Sequence, residues 1–392
     1  MNLDGSTFPS VRLVDLCRGD RSITYGIVKV GQFVDGGVRV IRGGDIRNNR
    51  ITVDESKCVS EEVSRQFKRT ILRGGEIVLN LIAEPGHSAI VPASLVGANV
   101  TRDVAVIPVC GTDARFINYY FQSPQCIEWL RAHLQGSVTL KINLGTLAAL
   151  PVPVPSDDEQ QRVVAVLGAL DDKIESNRRL TVLIPRLIRA IITNALGEES
   201  TEISVADLAR FVNGGAFTRG ASGTGRIVIR IAELNTGPSG STVYSDIDVP
   251  DEKTARPGDV LMSWSGTLGV YRWVLGEAII NQHIFKVIPA EGFPAWLVFD
   301  RLDAIIHVFQ RIAKDKATTM GHIQRGHLAS TTVAVPRADV IRELHGRLQP
   351  LWERLLVAEQ ENLRLAKLRD ALLPELLSGR LRVPEVAEAV AS

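Results

Sequence analysis

SVTLKINLGTLAALPVPVP, residues 137–155, returns as TTMGHIQRGHLASTTVAVP, residues 318–336, at a constant offset of 181. Each copy leaves a polar loop, passes a short helical phrase and ends in an alternating apolar run closed by proline, the pattern of a short strand. Reading outward from this pair, more duplicated phrases follow in the same order. VRLVDL (11–16) is answered by ISVADL (203–208), VIRGGDI (40–46) by VIRIAEL (228–234), and LRGGEIVLN (72–80) by ARPGDVLMS (255–263). In the last pair a glycine turn and an acid lead into an alternating apolar strand, and a glycine-containing loop comes next: AEPGHSA (83–89) and GTLGVY (266–271). Self-similarity in a fixed order means one supersecondary unit used twice.

A long helical pattern closes each copy. The first is expected over about 157–196. It opens on Ser156-Asp157-Asp158-Glu159, a serine three residues ahead of a glutamate, as a capping box requires. Its apolar seam reads Val163, Leu167, Leu170, Ile174, Asn177, Ile184, Ile188, Ile191. The second is expected over about 338–378, stopped by Gly379, with Leu344, Leu348, Leu351, Leu355, Ala358, Asn362, Leu365, Leu372 and Leu376 on its seam. Steps of four and three are coiled-coil spacing. Asn177 and Asn362 fall at matching points, where a polar residue on a seam can set register. Pro185 and Pro374 should bend or interrupt the helices. A helix of about 38 residues is about 57 Å long. Two such rods pack most simply antiparallel. The fold class is therefore α+β: two repeated β-rich domains separated by two long helices packed as an antiparallel coiled coil, with pseudo-two-fold symmetry. The division is 1–155 (first β-rich domain), 156–199 (central helical region), 200–337 (second β-rich domain), 338–380 (second helical region) and 381–392 (a flexible tail).

Composition narrows the function. At 392 residues, with 45% hydrophobic and 23% charged residues, the chain can bury several cores and is not a disordered one. No apolar run approaches the roughly 18 residues that cross a membrane, and the start MNLDGSTFPS is no signal peptide, so the expected location is the cytoplasm. Cys17, Cys58, Cys110 and Cys126 form no C-x-x-C pair, which argues for reduced thiols rather than a zinc or redox site. Net charge is +1, and residues 200–336 balance 13 basic against 13 acidic side chains, so any polyanion would be met by local clustering. A phosphate-cradling G-x-x-x-x-G-K-[ST] loop is missing, as is any Pro-Pro-Tyr or Pro-Pro-Phe phrase of an adenine methyltransferase pocket. Pro250-Asp251-Glu252-Lys253 places carboxylates beside a lysine, but adjacent strand residues face opposite ways and cannot converge on one metal, so it reads as an exposed turn. The spacing of His322 and His327 fits no metal site. No catalytic and no metal-binding residue is expected.

LPVPVPSDDEQQRVVAVLGALDDKIESNRRL (150–180) resembles the central helical region of specificity subunits of type I restriction-modification systems: a proline-rich strand end, an acidic cap, a Glu-Gln pair (Glu159, Gln160), then Asp-x-x-Ile-x-x-Asn (Asp171, Ile174, Asn177). LRDALLPELLSGRLRVP (368–384) resembles the second helical region of that family, and the duplicated glycine-acid-strand-loop phrase its target-recognition domains. The resemblance spans about 11–384. Two departures stand out: Ala83 where the second copy has Gly266, and Val340-Ile341 where a second Glu-Gln pair would fall. The resemblance implies a non-catalytic subunit whose two β-rich domains each read one half of a split site in double-stranded DNA. It implies partners as well: two methyltransferase subunits bringing S-adenosylmethionine, and two ATP-driven, magnesium-dependent nuclease-translocase subunits. This chain itself would bind no cofactor.

For DNA contact the polar and basic loops are the candidates, because Arg and Lys meet phosphate or guanine while Asn and Gln can pair adenine. They are Arg47, Asn48, Asn49, Arg50, Arg65, Lys68, Arg69, Lys141 and Asn143 in the first copy, and Arg311, Lys314, Lys316, Thr318, Thr319, His322, Gln324 and Arg325 in the second. Lys141/His322 and Asn143/Gln324 occupy matching positions. A rival reading is a structural adaptor, a duplicated β/coiled-coil scaffold that binds only proteins. The near-neutral charge agrees with it.

Overall fold

The computed structural model describes residues 8–17, 19–197, 200–315 and 322–383. Two compact units emerge, Met1–Asp172 with Ala366–Ser392, and Lys173–Leu365. The dividing points fall inside the long helices, so each helix contributes one part to each unit.

In the first unit, Ser10–Arg12 pairs antiparallel with Pro151–Pro153, Val11 opposite Val152. An antiparallel sheet runs in the order Thr24–Tyr25, Val104–Ile107, Ile77–Asn80, Ser88–Ile90. Its two central strands, VAVI and IVLN, are buried throughout, and such continuous runs of branched side chains suit strands covered on both faces. A third sheet centres on Val38–Ile41, antiparallel to Cys58–Val59 and parallel to Asn99–Val100. Phe116, Ile117 and Phe121 of the helix Ala114–Phe121 fill the main core with Leu13, Leu147 and Val152. Val163 and Leu167 of the first long helix and Leu373, Leu376 and Leu377 of the second join the same core. Burial holds the Cys17 thiol up at about 12, away from thiolate chemistry.

The second unit repeats these pairings. Thr201–Ser204 runs antiparallel to Thr332–Val335, Ile203 opposite Val333. Its second sheet runs Ala209–Asn213, Ile284–Pro289, Val260–Ser263, Val270–Arg272, all antiparallel. Its third centres on Arg226–Ile229, which again has one antiparallel neighbour, Tyr244–Ser245, and one parallel neighbour, Ala278–Ile280. Trp296 and Phe309 of the helix Ala295–Asp315 are fully buried at its centre.

Each repeated phrase has a physical reason. In the glycine-acid phrase, Glu76 accepts the Arg73 backbone N–H at 2.8 Å, and Asp259 accepts that of Arg256 at 2.7 Å. The acid closes the turn that aims the buried strand. In VIRGGDI and VIRIAEL, Arg42 meets Asp45 and Arg230 meets Glu233 through backbone N–H and guanidinium together. The Asp-Leu phrases dock through their backbones, the Leu13 N–H to the Leu150 carbonyl and the Val205 N–H to the Thr331 carbonyl.

The long helices span Asp157–Leu196 and Ala338–Ser378. Neither Pro185 nor Pro374 interrupts them, so of the bend or interruption expected from sequence the interruption does not occur. Ile184 and Ile188 are buried on either side of Pro185, so packing holds the helix across the lost N–H. Gly379 takes φ +74° directly after the second helix, the left-handed stop. In the first unit Glu159 pairs with Arg382 and Asp171 with Arg369 at 3.1 Å, numbers that run in opposite directions. In the second, Lys173 and Asn177 both meet Glu361, at 3.3 and 2.8 Å. Gln160 of the Glu-Gln pair is buried, donates to the Pro155 carbonyl and accepts from the Thr112 hydroxyl and the Asp113 N–H. Among the described residues no helix is long and apolar enough to cross a membrane.

Candidate nucleic-acid interface

Three loops converge in the first unit. Strands Ile46–Arg47 and Arg50–Ile51 form a hairpin whose turn residues, Asn48 and Asn49, both have left-handed backbones, φ +49° and +63°. Asparagine tolerates that geometry, and a turn of this hand places Arg47 directly across from Arg50. Arg47 pairs with Glu84 of the second loop, which leaves the strand Ile77–Asn80 and bends at Ala83 (φ +67°) and Gly86 (φ +106°). The third loop, 135–141, is pinched shut where Gln135 and Lys141 exchange backbone hydrogen bonds at 2.8 and 2.9 Å. It is fastened to the second by the Ala83 N–H to the Leu140 carbonyl and the Ile142 N–H to the Leu81 carbonyl. A concavity of about 430 Å³ lies among them, lined by Asn48, Glu84, His87, Arg131 and Leu140. Burial, and then the Arg47 charge, push the His87 imidazole below its usual range against the pull of Glu84, so it is neutral at pH 7.

The structure thus brings Arg47, Asn48, Arg50 and Lys141 into one exposed group. Asn143 lies beside it, but its Oδ1 caps the helix Leu144–Ala148 by accepting the Thr146 N–H at 2.7 Å. Asn49 points inward, accepting from the Asn118 amide and donating to Asp171 at 3.5 Å. Asp171 also accepts from Tyr119 at 2.8 Å and from Arg369, so the hairpin tip is anchored to both long helices. Lys68 and Arg69 are exposed on a separate turn, Lys68–Thr70, whose Arg69 carbonyl accepts from Arg21.

In the second unit the matching backbone contacts recur: the Ile323 N–H donates to the Trp264 carbonyl, and His322 bridges Ser265. His322, Gln324 and Arg325 are exposed there, and Lys314 is exposed near the end of Ala295–Asp315. Gln324 precedes the helix Arg325–Ser330, and its N–H donates to His327 Nδ1 at 3.0 Å. Lys316, Thr318 and Thr319 lie outside the described residues. Sequence reasoning missed the side chains around this point. Trp264 lies 5.3 Å from His283 and 6.5 Å, edge-on, from His322, and its indole N–H donates to Asn213. Trp264 was the available signal, being the residue directly after the duplicated strand phrase.

Asn177 is fully buried, donating to Glu361 at 2.8 Å and accepting from Arg354 at 3.5 Å. Asn362 is half-buried, and its Oδ1 has no hydrogen-bond partner among the described residues. Asp251 pairs with Arg256 and Glu252 with Arg210 on an exposed turn, and the described residues hold no cluster of potential metal ligands.

Residues 12–186 match the type I restriction modification DNA specificity domain. This chain is related to the specificity subunits of type I restriction-modification systems. The type I restriction enzyme MjaIX specificity subunit of Methanocaldococcus jannaschii is 22% identical to it over 364 residues, 84% of this chain and 82% of the relative. The type I restriction enzyme EcoBI specificity subunit of Escherichia coli is 25% identical over 201 residues, 48% of this chain and 41% of the relative. The crystal structure of a type I restriction-modification S subunit from M. genitalium shares the fold at TM-score 0.63 and 13% identity, covering 96% of this chain and 98% of that one. The matched domain is described by its DNA specificity, and both relatives are specificity subunits, which supports a role in DNA sequence specificity.

Proposed function

We propose that this specificity subunit reads a split target in double-stranded DNA, one half with each β-rich domain (1–155 and 200–337). The long helices (156–199 and 338–380), paired as an antiparallel coiled coil with pseudo-two-fold symmetry, set the gap. In the cytoplasm they dock two methyltransferase subunits, which carry S-adenosylmethionine, and two restriction subunits, which carry ATP and magnesium. One observation carries this reading. The two units repeat the same strand pairings, and each fastens the segment at 140–142 or 322–323 to the loop after its buried strand, Ile77–Asn80 or Val260–Ser263. A reader built twice suits a target written in two parts. The candidate side chains differ between copies, Lys141 against His322 and Asn143 against Gln324, so the halves should differ in sequence.

The test is a domain exchange. Replacing residues 11–150 by the equivalent domain of a relative, and sequencing methylated sites from cells expressing it with the methyltransferase, should change one half of the site only. A change in both halves or in neither would sink the modular reading. The adaptor reading is separated by salt: a DNA reader with its partners binds duplex less tightly as ionic strength rises, whereas an adaptor shows no duplex binding to lose.

A further inference from the structure

We infer that Val138 is a specificity-determining residue that meets the 5-methyl group of a thymine in the major groove. This rests on the DNA-reading role proposed above and names one contact within it. Val138 forms the tip of the closed loop 135–141 and is 96% exposed, more than any other large hydrophobic side chain among the described residues. Lone exposed apolar residues are ordinary on protein surfaces, but this one is held out by a built support. Gln135 and Lys141 pinch the base of the loop through both backbone groups. Gly136 sits at φ +104°, and a Cβ there would come within 2.3 Å of the Thr139 carbonyl oxygen, so the tight return depends on glycine. Two further backbone bonds clamp the loop to the turn at Leu81–Ala83.

The surroundings say what the tip meets. Arg47, Arg50, Arg131 and Lys141 are exposed on the converging loops and on the helix Pro124–Ala132, four basic side chains against the two carboxylates of Glu84, which pairs with Arg47, and Glu128, one turn before Arg131. A basic rim around an apolar tip fits a polyanion with an apolar group inside a groove. The tip residues Ser137, Val138 and Thr139 are short, so a closed loop ending in them suits a major groove about 12 Å wide. Valine is stiff at χ1 and loses little entropy on contact. The thymine methyl is the apolar mark that distinguishes one base edge in that groove, and aliphatic side chains read it.

The experiment uses the full chain with its methyltransferase subunits and a duplex carrying the methylated site. Thymines of the half-site are replaced one at a time by deoxyuridine, which removes only the methyl. In the wild type one position should lose about fourfold in affinity, the worth of one buried methyl. Val138→Ala should bind the thymine duplex about fourfold more weakly, bind the deoxyuridine duplex as the wild type does, and show no discrimination between them. Gly136→Ala should abolish the discrimination while salt-sensitive binding persists. The inference is overturned by Val138→Ala that keeps full discrimination, by a half-site with no methyl-sensitive thymine, or by Val138→Ala that weakens subunit assembly instead. Absence of any sequence-specific binding by the wild-type complex is a different result and sinks the DNA-reading role itself.

Discussion

Ala83 shows at the scale of one residue how a site departs from what its sequence would choose. The second copy has Gly266 at this turn with φ +63°, and Ala83 adopts φ +67°, where a Cβ crowds the following carbonyl. The first copy accepts the strain, and the loop it shapes carries Glu84 against Arg47 and supports the 135–141 finger. Ala83→Gly should therefore stabilise the protein by about 1 kcal/mol, read from urea unfolding with an unchanged slope. A loss of stability would mean that the methyl group makes contacts outweighing the backbone cost. This position was legible in the sequence only as a departure from the duplicated pattern. Asn143 and Asn49 were legible as polar loop residues but not as cap and anchor, because the hydrogen-bonding capacity that lets asparagine pair a base also suits a helix N-terminus or an internal partner.

At the scale of elements, the local signals were the reliable ones. The long helices begin and end where the spacing, the acidic start and Gly379 place them, since helix periodicity and caps are written within a few residues. The parallel pairing of Val38–Ile41 with Asn99–Val100 joins segments with no local signature linking them, and only the fold reveals it. Proline does not interrupt the first long helix, because the propensity rule ignores the buried isoleucines flanking Pro185. The Arg-x-x-acid turns are elements with a measurable electrostatic signature. Burial pulls the Glu233 carboxyl upward, but hydrogen bonds from Arg230 and then Thr242 outweigh it and hold the group below the usual carboxylate range. A carboxylate with a depressed folded pKa contributes stability that is present above its unfolded value, about 4.3, and lost as the pH falls through the lower folded value. Wild type should thus be more stable than Glu233→Gln at pH 7, and the difference should shrink below about pH 4. Chemical denaturation at a series of pH values checks this, and a constant difference would show that charge at Glu233 is irrelevant.

At the scale of the whole molecule, the ruler role proposed for the helices has a geometric consequence. Lys173 and Asn177 meet Glu361, while Ile184 and Ile188 share a core with Leu344, Leu348 and Leu355. Four residues inserted between Asn177 and Leu183, matched by four between Leu355 and Glu361, preserve both groups of partners and add about 6 Å to each rod. At about 3.4 Å per base pair that is one or two base pairs. Four residues are close to one turn, so the apolar seam stays nearly in line. The sequence carries a trace of such a change: Pro155 and Pro336 are 181 apart, whereas Asn177 and Asn362 are 185 apart. Two-residue insertions at the same points rotate everything beyond them by about 200° and turn the seam away from its partner. Methylation sequencing should therefore find the four-residue variant modifying a site with a longer gap and unchanged half-sites, and the two-residue variant modifying nothing. An unchanged gap in the four-residue variant would transfer the ruler to the partner subunits or to bending of the DNA, because the rods would have lengthened without moving the sites that are read.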